Sequence, residues 1–111
     1  RPKRILELGC GRALSGLYAA KLFPEAQVAL TDVSEECLES ARANAVVNAC
    51  DNVEATFLNW HSLDPELPNW DLVIAADVLY LERAVKVLPK ALQATLAYDG
   101  LALIVDPDRC Y

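Results

Sequence analysis

The sequence contains no methionine and one histidine. Lacking even an initiator, it reads as a piece cut from a longer protein. The lone histidine, His61, falls in a loop and reads as solvated rather than as a base. Cys10, Cys37, Cys50 and Cys110 lie far apart with no CxxC pair, which disfavours a disulfide framework or a zinc site, so no metal is expected. Reduced, mostly buried thiols fit a cytoplasmic protein. No apolar run is long enough to span a membrane. No signal peptide is visible, because the chain opens Arg1-Pro2-Lys3-Arg4 and goes straight into a strand. Nor do the basic residues cluster: net charge is −6 with Lys and Arg scattered. A phosphate backbone would be repelled on average, so nucleic acid is disfavoured as the main partner.

What remains is a chain of 111 residues, 54% hydrophobic, enough for one domain spanning 1–111. Short apolar segments alternate with helical ones. Ile5 to Leu8 reads as a strand buried on both faces, followed by Gly9 and Gly11 and the periodic run Leu14, Leu17, Tyr18, Leu22. Gln27 to Thr31 forms a second strand ending at Asp32. Ser34 suits a helix N-cap, Glu35 and Glu36 complement the dipole, and a helix over Glu35 to Val47 follows. Val53 to Leu58 alternates as an edge strand does. Asn59 to Trp70 is a loop, and Asp71 to Ala76 is the strongest strand. Leu81 to Ala97 has a helical period interrupted at Pro89, which predicts a kink or two short helices. Tyr98-Asp99-Gly100 then turns into a fifth strand, Leu101 to Val105. This alternation predicts a parallel α/β sheet with helices on both faces.

In such sheets ligands sit at the carboxyl ends of the strands. Gly9, Asp32, Asn59, Asp77 and Asp106 all fall there. The glycines permit a sharp turn and close approach of a ligand to backbone, and the following helix start offers free N–H groups. A dinucleotide fingerprint would place a third glycine at Leu14, so the nicotinamide pattern fails. Asp32 has two readings, a carboxylate for ribose hydroxyls or a cap for the next helix. Trp60 is either an adenine contact or a plug for the core. Asp77 and Tyr80 either act on substrate, or cap and pack.

The stretch Glu7-Leu8-Gly9-Cys10-Gly11, with Gly16 behind it, resembles motif I of the class I, seven-β-strand S-adenosylmethionine-dependent methyltransferases. Many relatives carry glycine where this chain has Ala13. TDVSEECLESARANAVVN resembles the second motif, and DLVIAADVLYLE resembles the Asp-x-x-Tyr segment of the protein-lysine methyltransferases. Asp106-Pro107-Asp108-Arg109-Cys110-Tyr111 is similar to the segment found in the subgroup acting on the electron-transfer flavoprotein β-subunit. The resemblance implies a Rossmann-like doubly wound sheet of five parallel strands in the order 3-2-1-4-5, without the family's last two strands. It implies S-adenosyl-L-methionine as cofactor, held by Glu7, Gly9, Cys10, Gly11, Asp32, Val33, Asn59, Trp60 and Ala76. Asp77 and Tyr80 would be catalytic, and the acceptor a protein lysine side chain. The alternatives are a small-molecule N-methyltransferase acting on a small amine, or a non-catalytic nucleotide-binding module.

Overall fold

Five apolar segments pair side by side into one wholly parallel sheet in the computed structural model, which describes residues 1–64, 67–76 and 82–105. The elements are β1 (Arg4–Glu7), α1 (Leu14–Leu22), β2 (Gln27–Asp32), α2 (Glu35–Val47), β3 (Val53–Phe57), β4 (Trp70–Ala76), α3 (Glu82–Thr95) and β5 (Leu96–Val105). The strand order is β3-β2-β1-β4-β5, as the resemblance implies. Leu6 of β1 lies between Ala29 of β2 and Val73 of β4. The central strands are therefore covered on both faces, which is why their sequences are almost continuously apolar.

Two clusters hold the layers together. On one face α1 and α2 bring Leu17, Ala20, Leu38 and Ala41 against Ile5, Val28, Leu30 and Ile74. On the other, Leu88 and Ala91 of α3 meet Leu6, Val73 and Ala75. Leu30 and Leu38 are fully buried, and each such side chain contributes about 1.5–3 kcal/mol. Cys10, Cys37 and Cys50 are free thiols. Among the described residues, no helix is long and apolar enough to cross a membrane.

The structure departs from the sequence-based expectation in three places. Of the periodic run on α1, only Leu17 lies on its packing face. Leu14, Tyr18 and Leu22 are exposed, whereas Gly16, Leu17, Ala19 and Ala20 are buried. A helix lying this close to the sheet needs small residues on its inner side. Two short helices meeting at Pro89 are not found either, since α3 runs as one helix through it. Pro89 is exposed, while Leu88, Ala91 and Thr95 are buried. Packing thus holds both halves, and solvent can satisfy the carbonyl that the proline leaves unpaired.

The third departure is at Tyr98-Asp99-Gly100, which does not precede the last strand but interrupts it. β5 pairs at Leu96 with Trp70, then resumes at Leu101 opposite Leu72 across a register shift. Such a bulge accommodates turn residues inside a ladder. Gly100 is needed there, because a Cβ would approach the Trp70 carbonyl to 2.9 Å. Beyond the bulge, Leu101, Leu103 and Val105 remain exposed at the sheet edge.

Candidate functional site

The strand order reverses between β1 and β4, and a crevice at the carboxyl ends of the strands is the expected binding place in such a sheet. The glycine loop crosses that crevice. Its entry extends the sheet on both sides of β1: the Leu8 N–H donates to the Ile74 carbonyl at 2.8 Å, and the Cys10 N–H to the Thr31 carbonyl at 2.8 Å. The loop then turns through left-handed conformations at Gly9 (φ 62°), Gly11 (φ 52°) and Ala13 (φ 65°). At Ala13, the position where the resembled family often has glycine, this conformation costs about 1–2 kcal/mol. A Cβ on Gly11 would meet nothing within 4 Å. Gly11 therefore serves the turn and the open space above it rather than packing.

Two carboxylates pin the loop at its two ends. The Gly11 N–H donates to Asp32 Oδ2 at 3.1 Å, and the Ser34 N–H to Asp32 Oδ1 at 3.0 Å. At the far end the Gly16 N–H donates to Glu7 Oε1 at 3.0 Å. Asn44 of α2 reaches over to give its Nδ2 to the Arg12 carbonyl at 3.0 Å. Asp32 is not the cap of α2. That role belongs to Ser34, whose hydroxyl accepts from the Cys37 N–H at 3.3 Å. Asp32 is half-buried, and each of its oxygens keeps a lone pair beyond the bond it already accepts. It can therefore hold the loop and still accept further donors.

Glu7 is a different kind of acid. It is 2% exposed, and burial, opposed by the Gly16 bond and reinforced by the Asp32 charge, pushes its pKa up from 4.5 to about 7. Burial, with Glu7 and Asp32 nearby, likewise pushes the Cys10 thiol up to about 12. Cys10 thus stays a thiol and serves the loop through its backbone. Gly16 matters to this arrangement because it lets α1 approach closely. A Cβ there would run into the Leu30 side chain and the Glu7 carboxylate itself.

The remaining candidates divide. Val33 is exposed beside Asp32. Asn59 is half-buried, and its Oδ1 accepts from the His61 N–H at 3.0 Å, an Asx turn that orders the loop after β3. Trp60 packs with Leu58 and Leu63 against the α3-side cluster, so its ring is engaged in the core. Ala76 ends β4, half-buried. Asp77, Tyr80 and the 106–111 segment lie outside the described residues. Sequence reasoning missed Asn44 and the Glu7–Gly16 bond. The only hint of the first was a polar residue among the alanines of α2. The second depends on how closely α1 approaches the sheet. A separate shallow cleft lined by Arg1–Arg4 and Phe23–Gln27 lies at the amino ends of β1 and β2, away from this site.

Residues 1–109 match the lysine methyltransferase family. Among curated relatives, histone-arginine methyltransferase METTL23 of Xenopus laevis is 37% identical over 83 residues, covering 70% of this chain and 35% of the relative. Protein-lysine N-methyltransferase EFM3 of Chaetomium thermophilum is 35% identical over 121 residues, covering 95% of this chain and 35% of the relative. Ribosomal RNA large subunit methyltransferase G of Shewanella amazonensis is 40% identical over 65 residues, 59% of this chain and 17% of the relative. The chain thus spans about a third or less of the length of these relatives. The structure of PKMT2 from Rickettsia typhi in complex with AdoHcy superposes with a TM-score of 0.78 at 21% identity, over 92% of this chain and 20% of that one. At that identity the likeness shows a shared fold.

Proposed function

The chain belongs to the lysine methyltransferase family, and from that premise we propose that the protein containing it transfers a methyl group from S-adenosylmethionine to a protein lysine side chain. One observation carries the cofactor half of this reading. Asp32 binds the Gly11 N–H of the glycine loop and keeps acceptor capacity beyond that bond, next to a glycine whose Cβ position is open. A carboxylate receiving both ribose hydroxyls gains about 1.5–3 kcal/mol per charge-assisted bond. Val33 offers an exposed apolar surface to the adenine, and Asn59 an amide. The backbone at Gly9 and Gly11 lies under the methionine part.

When bound, the cofactor supplies a methyl group on a sulfonium, which departs as a neutral thioether once a nitrogen lone pair has taken the methyl. The chain's part is to position and to exclude water. A lysine amine must first lose its proton. In this reading Asp77 orients the ammonium and, with Tyr80, takes or steers that proton at the carboxyl end of β4. The acceptor named for the relatives differs, being lysine, histone arginine or ribosomal RNA. The net charge of −6 favours a protein over a polyanion here.

Asp77→Asn in the intact protein tests the acceptor half. It keeps the shape but removes the charge that attracts an ammonium, so methylation should fall by orders of magnitude with little change in cofactor affinity. Tyr80→Phe should cost less. Normal turnover by Asp77→Asn on a protein substrate would remove Asp77 from the mechanism. Labelling of a small amine but of no protein in a lysate would shift the acceptor to a small molecule.

A further inference from the structure

Ala13 poses a problem that the glycine loop does not solve by itself. It stands at the N-cap of α1 in a left-handed backbone, φ 65° and ψ 26°, with no side-chain capping bond. Such positions favour glycine, because a Cβ crowds the neighbouring carbonyl oxygen there. Serine or aspartate would at least return a capping bond, and alanine returns none. A left-handed alanine persists only where its surroundings over-determine it. Three hydrogen bonds do so here. The Ala13 N–H donates to the Cys10 carbonyl at 2.6 Å, and the Ala13 carbonyl accepts from the Leu17 N–H at 2.9 Å. Both of these move with the loop and α1. The third ties the loop to a different element: Asn44 Nδ2 on α2 donates to the Arg12 carbonyl at 3.0 Å. That carbonyl belongs to the planar peptide unit joining Arg12 to Ala13, so its direction and the Ala13 φ angle are set together.

α2 is a firm anchor for that bond. Leu38, Ala41 and Ala45 are buried in the cluster against the sheet, and Arg42 Nη2 donates to the Ala55 carbonyl of β3 at 3.0 Å. The start of α2 reaches the loop as well. Ser34, its cap, donates its N–H to Asp32, and Asp32 accepts from the Gly11 N–H. α2 therefore grips the loop at two adjacent residues, at Gly11 through Asp32 and at Arg12 through Asn44. We propose that Asn44 is a positioning residue for the cofactor site. By holding the Arg12–Ala13 peptide it keeps the loop in the bend that leaves Gly11 open, and so keeps the bed for S-adenosylmethionine in shape before the ligand arrives. Asn44 acts through the loop and not by touching the ligand. The clamp does for Ala13 what backbone freedom does for a glycine at the same place. This rests on the cofactor reading above.

The test is a double-mutant cycle on the intact protein, combining Asn44→Ala with Ala13→Gly. Alanine is the better helix former, so Asn44→Ala removes the donor without weakening α2. It should weaken S-adenosylmethionine and S-adenosylhomocysteine alike, by about three- to tenfold, because both would lie on the same loop. Hydrogen exchange at the Ala13 N–H, read without ligand, should quicken by a similar factor. Adding Ala13→Gly to Asn44→Ala should restore most of the lost affinity, since glycine stays left-handed without a clamp. The gain from Ala13→Gly should be smaller where Asn44 is present. A residue that merely stabilised α2 would show no such rescue. An Ala13→Gly effect equal in both backgrounds, unchanged affinity in Asn44→Ala, or unchanged exchange at Ala13 would overturn the proposal and leave the cofactor reading intact. No binding of either ligand by the wild-type protein would overturn both.

Discussion

Replacing Glu7 by glutamine should shift stability progressively in the variant's favour as pH rises. The folded-state pKa of about 7 stands against 4.5 for a free glutamate. Between those values the folded protein binds more protons than the unfolded chain, so stability falls as pH rises through the window. The stabilisation from Glu7 is fully present below about pH 4.5 and lost once pH passes about 7. A difference of about 2.5 units corresponds to about 3 kcal/mol. Glutamine has no charge to desolvate, and its carbonyl oxygen can keep the Gly16 bond. An unpaired amide N–H in the variant would cost about 1–3 kcal/mol at every pH. That would offset the curve without changing its slope. The informative quantity is therefore the variant-minus-wild-type difference in unfolding free energy, measured by urea titration from pH 4.5 to 8.5. It should grow by about 3 kcal/mol across that range. A flat difference would mean that Glu7 is ionised at its ordinary pKa and that its burial costs nothing.

Gly16→Ala forces a methyl group between Leu30 and the Glu7 carboxylate. It should cost about 1–3 kcal/mol by overpacking and weaken cofactor binding by displacing the loop; thermal melts with normal stability would refute the close approach of α1. Asp32→Ala should do two things at once, because Asp32 holds loop N–H groups as well as keeping further acceptor capacity. Cofactor affinity should fall about ten- to hundredfold and stability by about 1–3 kcal/mol. Ser34→Ala removes only the cap, so stability should drop by about 1 kcal/mol with affinity nearly unchanged. If Asp32→Ala behaves like Ser34→Ala, the ribose role is wrong.

Elements marked by local chemistry were legible in the sequence. α2 begins and ends where Ser34, the paired glutamates and the following Asn-rich turn place it. β2 and β4 differ from expectation by one residue each, because their apolar runs are closed by charged or turn residues. Where tertiary contacts decide, the sequence misled. On α1 three of the four large apolar residues, Leu14, Tyr18 and Leu22, point outward, and Leu17 packs inward beside the small residues Gly16, Ala19 and Ala20. Pro89 looked like a boundary, because its exposure on an otherwise anchored helix cannot be read locally. The site shows the same division. Gly11 and Asp32 were visible from spacing and strand ends, and the structure joins them by a hydrogen bond. The burial of Glu7 was not visible, because it arises from the distance between α1 and β1.

The most direct measurement is ligand binding by the intact protein, titrated separately with S-adenosylmethionine, S-adenosylhomocysteine and NAD. Saturable heat with both sulfur ligands, lost or strongly weakened in Asp32→Ala, is the expected result, with none for NAD. Saturable binding of NAD, together with silence from both sulfur ligands, would contradict the assignment of the glycine loop and Asp32 to S-adenosylmethionine.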